Sequence, residues 1–212
     1  MSEPEQSAAA FLPPQRDLDH LRAAAAGCRG CGLYKNATQT VFGEGPARAA
    51  LMLIGEQPGD QEDLGGRPFV GPAGRVLSQA LDDAGLPRDE IYLTNAVKHF
   101  KWEPRGKRRL HKKPSAREIE ACKPWLAAEL AAVRPQLVVC LGVTAATAAF
   151  GKAVTLKQYR GTFTATPLGV TAFVTTHPSA LLRLRDKGDW NMEYQRLVRD
   201  FRLVRERLGG DS

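Results

Sequence analysis

Residues 49–60 read AALMLIGEQPGD, an apolar run of six residues followed by a polar, glycine-containing turn. Three further apolar runs lie downstream, at residues 91–94 (IYLT), 137–141 (LVVCL) and 170–175 (VTAFVT). Continuous apolar strands that alternate with helical patterns are typical of a parallel sheet covered on both faces. The sequence therefore predicts an α/β fold with three layers and a central, mainly parallel four-stranded sheet.

Helical patterns fill most of the sequence between and after these runs. They predict helices over residues 17–26, 72–84, 115–133, 143–150 and 189–208, and Ser115 with Glu118 forms a capping-box pattern. Residues 155–166 predict an irregular pair of strands around Gly161. The chain has no internal repeat.

The length of 212 residues predicts a single domain over residues 1–212. Residues 1–15 start acidic and end near two prolines, so we expect them to be flexible and not an export signal. The longest apolar stretch, residues 137–151, is interrupted by two threonines and is too short to span a membrane. We expect a cytoplasmic monomer.

The basic charge is concentrated in one segment. Residues 98–113 (KHFKWEPRGKRRLHKK) contain eight Lys/Arg and one acidic residue, which accounts for the whole net charge of +7. Clustered bases of this kind neutralise phosphates, and Trp102 could stack on a base. The segment therefore favours a nucleic-acid partner over a solvated basic loop.

The four cysteines are Cys28, Cys31, Cys122 and Cys140. A disulfide framework does not suit a chain without an export signal, and a zinc ribbon would need a second Cys-x2-Cys pair. One such pair with two separate cysteines suits a four-thiolate [4Fe–4S] cluster, with zinc or buried structural thiols as the alternatives.

Polar residues follow each predicted strand. The first strand is followed by Glu56, Gln57 and Asp60, the second by Asn95 and the last by His177 and Ser179. Ligands of parallel sheets bind beyond the carboxyl ends of the strands, so these residues predict a shared active site. The glycine spacing fits neither a dinucleotide-binding loop nor a P-loop.

These groups suit removal of a base from DNA. A base in a duplex must be flipped out, stacked and read along its edge, for which Phe69 and Asn95 are candidates. Cleavage of a glycosidic bond develops positive charge on the sugar and negative charge on the leaving base. Glu56 could stabilise the first and His177 the second.

Several motifs together resemble the iron–sulfur uracil-DNA glycosylases of family 4. They are the Cys28-x2-Cys31 pair, GEQPGDQED, FVGPAGR, LTNAVKHF, ACKPWL, LGVTAA and THPSALLR, which extend from Cys28 to Arg183. The resemblance implies the uracil-DNA glycosylase fold, excision of uracil from DNA and a [4Fe–4S] cluster on the four cysteines.

The same resemblance assigns roles to individual positions. It implies Glu56 and His177 as catalytic residues, and it places substrate contacts on Gln57, Asp60, Phe69, Asn95 and Ser179. Glu62 also falls on an acidic position of the family, without a separate role.

Residues 107–111 (KRRLH) resemble the KRRIH loop of the UdgX branch, whose histidine attacks the deoxyribose C1′ once uracil departs. The resemblance implies that His111 crosslinks the protein to uracil-containing DNA, with single-stranded DNA favoured, in a single turnover. Lys107, Arg108 and Arg109 are expected to hold phosphates and position the loop.

Two other functions remain open from the residues. The first is a conventional family-4 glycosylase that turns over and uses its basic loop only to grip DNA. The second is a non-catalytic iron–sulfur protein that binds DNA. The combination of Glu56, Asn95 and His177 argues against the second.

Overall fold

The computed structural model describes residues 7–184 and 186–210. Within them, seven strands form a five-stranded sheet and a separate two-stranded hairpin. The strands are β1 Leu51–Gly55, β2 Ile91–Asn95, β3 Trp102–Arg105, β4 Arg108–His111, β5 Leu137–Leu141, β6 Phe163–Ala165 and β7 Thr171–Thr175.

The central sheet has the strand order β2-β1-β5-β7-β6. Strands β2, β1, β5 and β7 run parallel, which confirms the four predicted apolar strands. A fifth strand, β6, pairs antiparallel with β7 at the edge. All five residues of β1, β2 and β5 are buried because helices cover both faces of the sheet.

The helices are α1 Leu18–Ala25, α2 Asp60–Gly65, α3 Pro72–Ala84, α4 Ala116–Val133, α5 Gly142–Phe150, α6 Leu156–Tyr159 and α7 Lys187–Gly209. All five predicted helices are present, with bounds that differ by no more than two residues. The short helices α2 and α6 were not predicted, since one turn leaves too little apolar periodicity to recognise.

The core has two parts, one on each face of the sheet. Helices α1, α4 and α5 pack on the face that presents Met52, Ile54 and Val138. Helices α3 and α7 pack on the opposite face, against Leu53 and Phe173. The three-layer α/β prediction is thus confirmed.

One local prediction is wrong. The strand pair expected over residues 155–166 is instead the helical turn α6 followed by the single strand β6. Tyr159 of α6 packs on Phe150 of α5 with ring centroids 5.2 Å apart.

The basic segment contains regular structure that was not predicted. Strands β3 and β4 pair as an antiparallel hairpin whose turn contains Gly106 at φ +58°.

The amino-terminal segment contains a short helix. Residues 1–6 lie outside the described residues, but Ala8–Phe11 form a 3₁₀ helix that packs on α4, with Ala8 buried. A Cβ on Gly30 would lie 2.6 Å from the Ala8 backbone nitrogen, so the close approach requires glycine there. No helix among the described residues is both long and apolar enough to cross a membrane.

The start of α4 provides a test of local stability. The Ser115 hydroxyl accepts from the Glu118 N–H at 3.3 Å, and the Glu118 carboxylate accepts from the Ser115 N–H at 2.7 Å. We expect Ser115→Ala to lower the free energy of unfolding by about 1 kcal/mol, measured by urea denaturation. Ser115→Thr, which retains the hydroxyl, is the control, and equal losses in both variants would contradict the capping role.

Candidate active site

A cleft of about 730 Å³ opens at the carboxyl edge of the parallel strands. It brings together eight of the residues predicted from the sequence: Glu56, Gln57, Asp60, Phe69, Asn95, His111, His177 and Ser179. They come from the end of β2, from the segments that follow β1 and β7, and from the end of the hairpin. The edge geometry of a parallel sheet therefore explains why residues far apart in sequence meet in one cavity.

Asn95 and Phe69 meet where β1 ends. Gly55 of β1 pairs with Asn95 of β2, and a Cβ on Gly55 would come within 3.0 Å of both the Asn95 side-chain oxygen and the Phe69 ring. No hydrogen bond joins the Asn95 side-chain amide to another described residue. The amide therefore keeps both a donor and an acceptor for a ligand.

The Phe69 ring is held by an unusual backbone. Phe69 has φ +55°, and its carbonyl accepts from Arg88 Nη2 at 2.9 Å. Gly74 packs so closely under that carbonyl that any Cβ would collide with it. The ring lies 6.2 Å from the His177 ring at 30°, which leaves an aromatic face along the cleft. Sequence reasoning missed Arg88, because its partner is a backbone atom that only the fold brings near.

Hydrogen bonds define the protonation of His177. Its Nδ1 accepts from the Ser179 N–H at 3.1 Å and lies 2.8 Å from the Ser179 hydroxyl. Desolvation lowers the pKa of His177 to about 4, and the charges of Arg183 and of His111 when it is protonated act in the same direction. The ring is therefore neutral at pH 7 with its proton on Nε2, where it can donate to an anionic leaving group. Ser179 acts through His177.

Glu56 lies between Thr144 and His111. The Thr144 hydroxyl, in the first turn of α5, donates to Glu56 Oε2. The other oxygen, Oε1, lies 3.4 Å from His111 Nε2. Thr144 was not predicted, since a threonine inside an apolar helix gives no sequence signal of its own.

His111 is presented to the cleft by the end of β4. Desolvation lowers its pKa, and Arg183 lowers it further, while the Glu56 carboxylate opposes them. The neutral imidazole is therefore the dominant form at neutral pH. Arg183, which also lines the cleft, was not predicted as a site residue.

Gln57 anchors the hairpin. Its amide nitrogen donates to the carbonyls of Lys101 and Lys112, and its amide oxygen accepts from the Lys101 N–H at 3.1 Å. These two lysines flank the hairpin strands. The side chain that was expected to contact substrate thus binds the backbone on both sides of the hairpin.

Arg109 forms ion pairs within the protein. It donates to Asp60 and Asp63 at 2.6 Å each, and its guanidinium lies 5.4 Å from the Phe100 ring and 5.5 Å from the Trp102 ring. In the protein without DNA, Arg109 therefore anchors β4, with Asp60 as one of its acceptors. The expected phosphate contact of Arg109 and base contact of Trp102 stay predictions.

Lys107 and Arg108 lie at the exposed tip of the hairpin. Neither forms an ion pair with another described residue. Both side chains are accessible to an external anion, and their phosphate contacts stay a prediction.

All four cysteines are buried, and none of them forms a disulfide. Cys28 accepts from Trp125 Nε1 at 3.2 Å and Cys122 accepts from the Lys98 N–H at 3.3 Å. Burial raises the pKa of Cys122 to about 12, and the neighbouring thiols of Cys31 and Cys28 act in the same direction.

Cys140 is placed differently from the other three. It lies within β5, opposite Ile54 of β1 and Val174 of β7. Across the described ranges, no group of three or more His, Cys, Asp or Glu residues is arranged to hold a metal. The four-cysteine ligand set is therefore not confirmed by this arrangement.

Residues 42–202 match the family model of the uracil DNA glycosylase superfamily. This chain belongs to that superfamily.

Three curated relatives are type-4 uracil-DNA glycosylases. The chain is 40% identical to the one from Archaeoglobus fulgidus over 129 residues, which are 61% of each chain. It is 37% identical to that of Thermotoga maritima over 74% of this chain and 79% of the relative. It is 32% identical to that of Saccharolobus solfataricus over 91% and 87% respectively.

The requirement for glycine at position 55 can be tested directly. We expect Gly55→Ala to slow base release by about 100-fold, because the new methyl group displaces both the Asn95 amide and the Phe69 ring. The measurement is the single-turnover rate of base release from DNA. Gly209→Ala, where a Cβ meets nothing within 4 Å, is the matched control. An unchanged rate in Gly55→Ala would show that the cleft does not need this close approach.

Proposed function

We propose that this protein excises uracil from DNA and then captures the resulting sugar through His111. Two observations support the proposal: the curated relatives are uracil-DNA glycosylases, and the cleft contains the groups that this reaction needs. The position of His111 supports the capture step, because its Nε2 lies 3.4 Å from Glu56 Oε1 inside the same cleft.

Asn95 and Phe69 recognise uracil. The free amide of Asn95 can accept from N3–H of uracil and donate to a ring carbonyl, while Phe69 stacks on the ring. As the C1′–N1 bond breaks, its electron pair leaves with uracil N1. The Nε2–H of neutral His177 donates to the uracil anion and stabilises it.

Capture then forms one new bond. An unprotonated ring nitrogen of His111 attacks C1′ of the cationic sugar, which gives a C1′–N bond and a positively charged imidazole. The remaining ring proton passes to the Glu56 carboxylate or to solvent. The neutral, alkylated imidazole is a poor leaving group, so the reaction stops after one turnover.

Rigid attachment of the hairpin allows the imidazole to compete with water. Gln57 holds the backbone at both ends of the hairpin and Arg109 joins β4 to Asp60 and Asp63. A nucleophile that is already positioned next to C1′ has a large entropic advantage over a diffusing water molecule. A conventional glycosylase would need no such fixed nucleophile.

The crosslink is tested on a denaturing gel with uracil-containing single-stranded DNA. We expect a heat-stable band of reduced mobility with the native protein. His111→Ser should release uracil and leave no such band, because the hydroxyl group is a weaker nucleophile and lies further from C1′. His20→Ser, at an exposed histidine on α1, is the control and should crosslink like the native protein.

Three outcomes distinguish the candidate functions. Uracil release in many turnovers without a slow band would establish the conventional glycosylase. Salt-sensitive DNA binding without release of free uracil would establish a non-catalytic DNA-binding protein. A crosslink that persists in His111→Ser would exclude His111 as the nucleophile.

The rate of crosslinking should also depend on pH in a defined way. The pKa of His111 lies below its ordinary value of 6.5, and only the neutral ring can attack, so the crosslinking rate should fall as the pH drops through that lowered pKa, at a pH below 6.5. Arg183→Gln removes a positive charge that lowers the pKa of both His111 and His177, so the acid limb should move to higher pH.

The matched control for Arg183→Gln is Arg48→Gln, at an exposed arginine that does not line the cleft. Single-turnover rates at saturating protein separate this effect from weaker DNA binding. An acid limb that stays in place in Arg183→Gln would contradict the electrostatic role of Arg183.

A further inference from the structure

A lysine lies fully buried beneath the base-reading residue. Lys98 is 0% exposed, and its ammonium group has three acceptors. It donates to the Thr94 hydroxyl at 2.6 Å, to the Asn95 carbonyl at 2.7 Å and to Glu129 Oε2 at 2.5 Å. All three hydrogens of the ammonium group are therefore satisfied.

Its partner Glu129, on α4, is also 0% exposed and fully hydrogen-bonded. Besides Lys98, it accepts from the Gly43 N–H at 3.0 Å, the Tyr92 hydroxyl at 3.1 Å and the Thr94 hydroxyl at 2.9 Å. The ion pair thus belongs to a closed network that joins α4 to the end of β2.

Stability alone does not explain such a pair. Removing two charges from water is expensive, and an apolar pair of similar volume is often equally stable or more stable. The pair does something that an apolar pair could not do: it supplies a hydrogen-bond donor to the Asn95 carbonyl. Strand β2 is at the edge of the sheet and pairs with β1 on one side, so its last residue depends on groups outside the sheet.

We propose that the Lys98–Glu129 ion pair positions Asn95 for recognition of a pyrimidine base. The ammonium group fixes the Asn95 peptide on one side, and the pairing of Gly55 with Asn95 fixes it on the other. With its peptide held in this way, the Asn95 side chain points its free amide at the cleft. Lys98 is a positioning residue, and it touches neither the base nor the sugar.

This inference rests on the proposed function, since it assumes that Asn95 reads uracil. The direct readout is the affinity for free uracil, measured as the inhibition constant for base release from uracil-containing DNA. This quantity reports recognition of the base and is independent of phosphate contacts.

The main variant is the double substitution Lys98→Met and Glu129→Gln. It removes both charges together, so that no unpaired charge is buried, and the new amide can still accept from Gly43 and Tyr92. We expect inhibition by uracil to weaken by about tenfold or more, the loss expected for one charge-assisted hydrogen bond. Affinity for single-stranded DNA without uracil should not change.

Tyr92→Phe is the matched control. It removes a hydrogen bond from Glu129 within the same buried network, but it leaves the bonds from Lys98 to Thr94 and Asn95 intact. We expect it to lower the melting temperature without changing the inhibition constant. Lys98→Arg is a second test that keeps the charge: its wider, planar group does not fit the same three acceptors, so uracil affinity should fall.

The outcomes separate this inference from the proposed function. If the native protein releases no uracil, the proposed function fails. If it does release uracil, and if the double variant or Lys98→Arg is inhibited as strongly as the native protein, the positioning role is overturned. If Tyr92→Phe weakens inhibition by uracil equally, the positioning role is overturned as well, because the network would then contribute only to stability.

Discussion

The parallel pairing of β1 with β2, in which Gly55 stands opposite Asn95, is the constraint on which the cleft depends. The glycine has no side chain, so the Asn95 amide and the Phe69 ring can both occupy the space at the end of β1. Every other group of the site is arranged around that space. His177 approaches from β7, Glu56 follows Gly55 directly, and the hairpin closes the remaining side.

Other residues hold the polar groups of the cleft in place, and the functional groups of these residues are already hydrogen-bonded. Ser179 orients His177, Thr144 orients Glu56, and Arg88 holds the backbone of Phe69. Gln57 fixes both ends of the hairpin. Such support restricts side chains to one geometry before any ligand arrives, and the rate of a reaction depends steeply on that geometry.

Charge is divided between two regions of the hairpin. Within β4, Arg109 is neutralised by Asp60 and Asp63 and lies against two aromatic rings. At its tip, Lys107 and Arg108 are exposed. One basic segment therefore combines an internal anchor with an external surface for phosphates. Composition alone would assign both to nucleic acid, because a net charge does not distinguish a paired arginine from an open one.

The sequence by itself determined the fold class and most of the site. Four apolar runs defined the parallel strands, and the residues after them converge because the carboxyl ends of parallel strands share one edge. Periodicity and residue type are local properties, so they can be read along the chain.

Only the tertiary structure decided which partner each polar group has. It showed that Gln57 and Arg109 bind other parts of the protein, and it paired β3 with β4. It also revealed Lys98 and Glu129, which are 31 positions apart in the chain, as one buried pair. A hydrogen bond depends on distances between segments remote in sequence, and those distances exist only once the layers have packed.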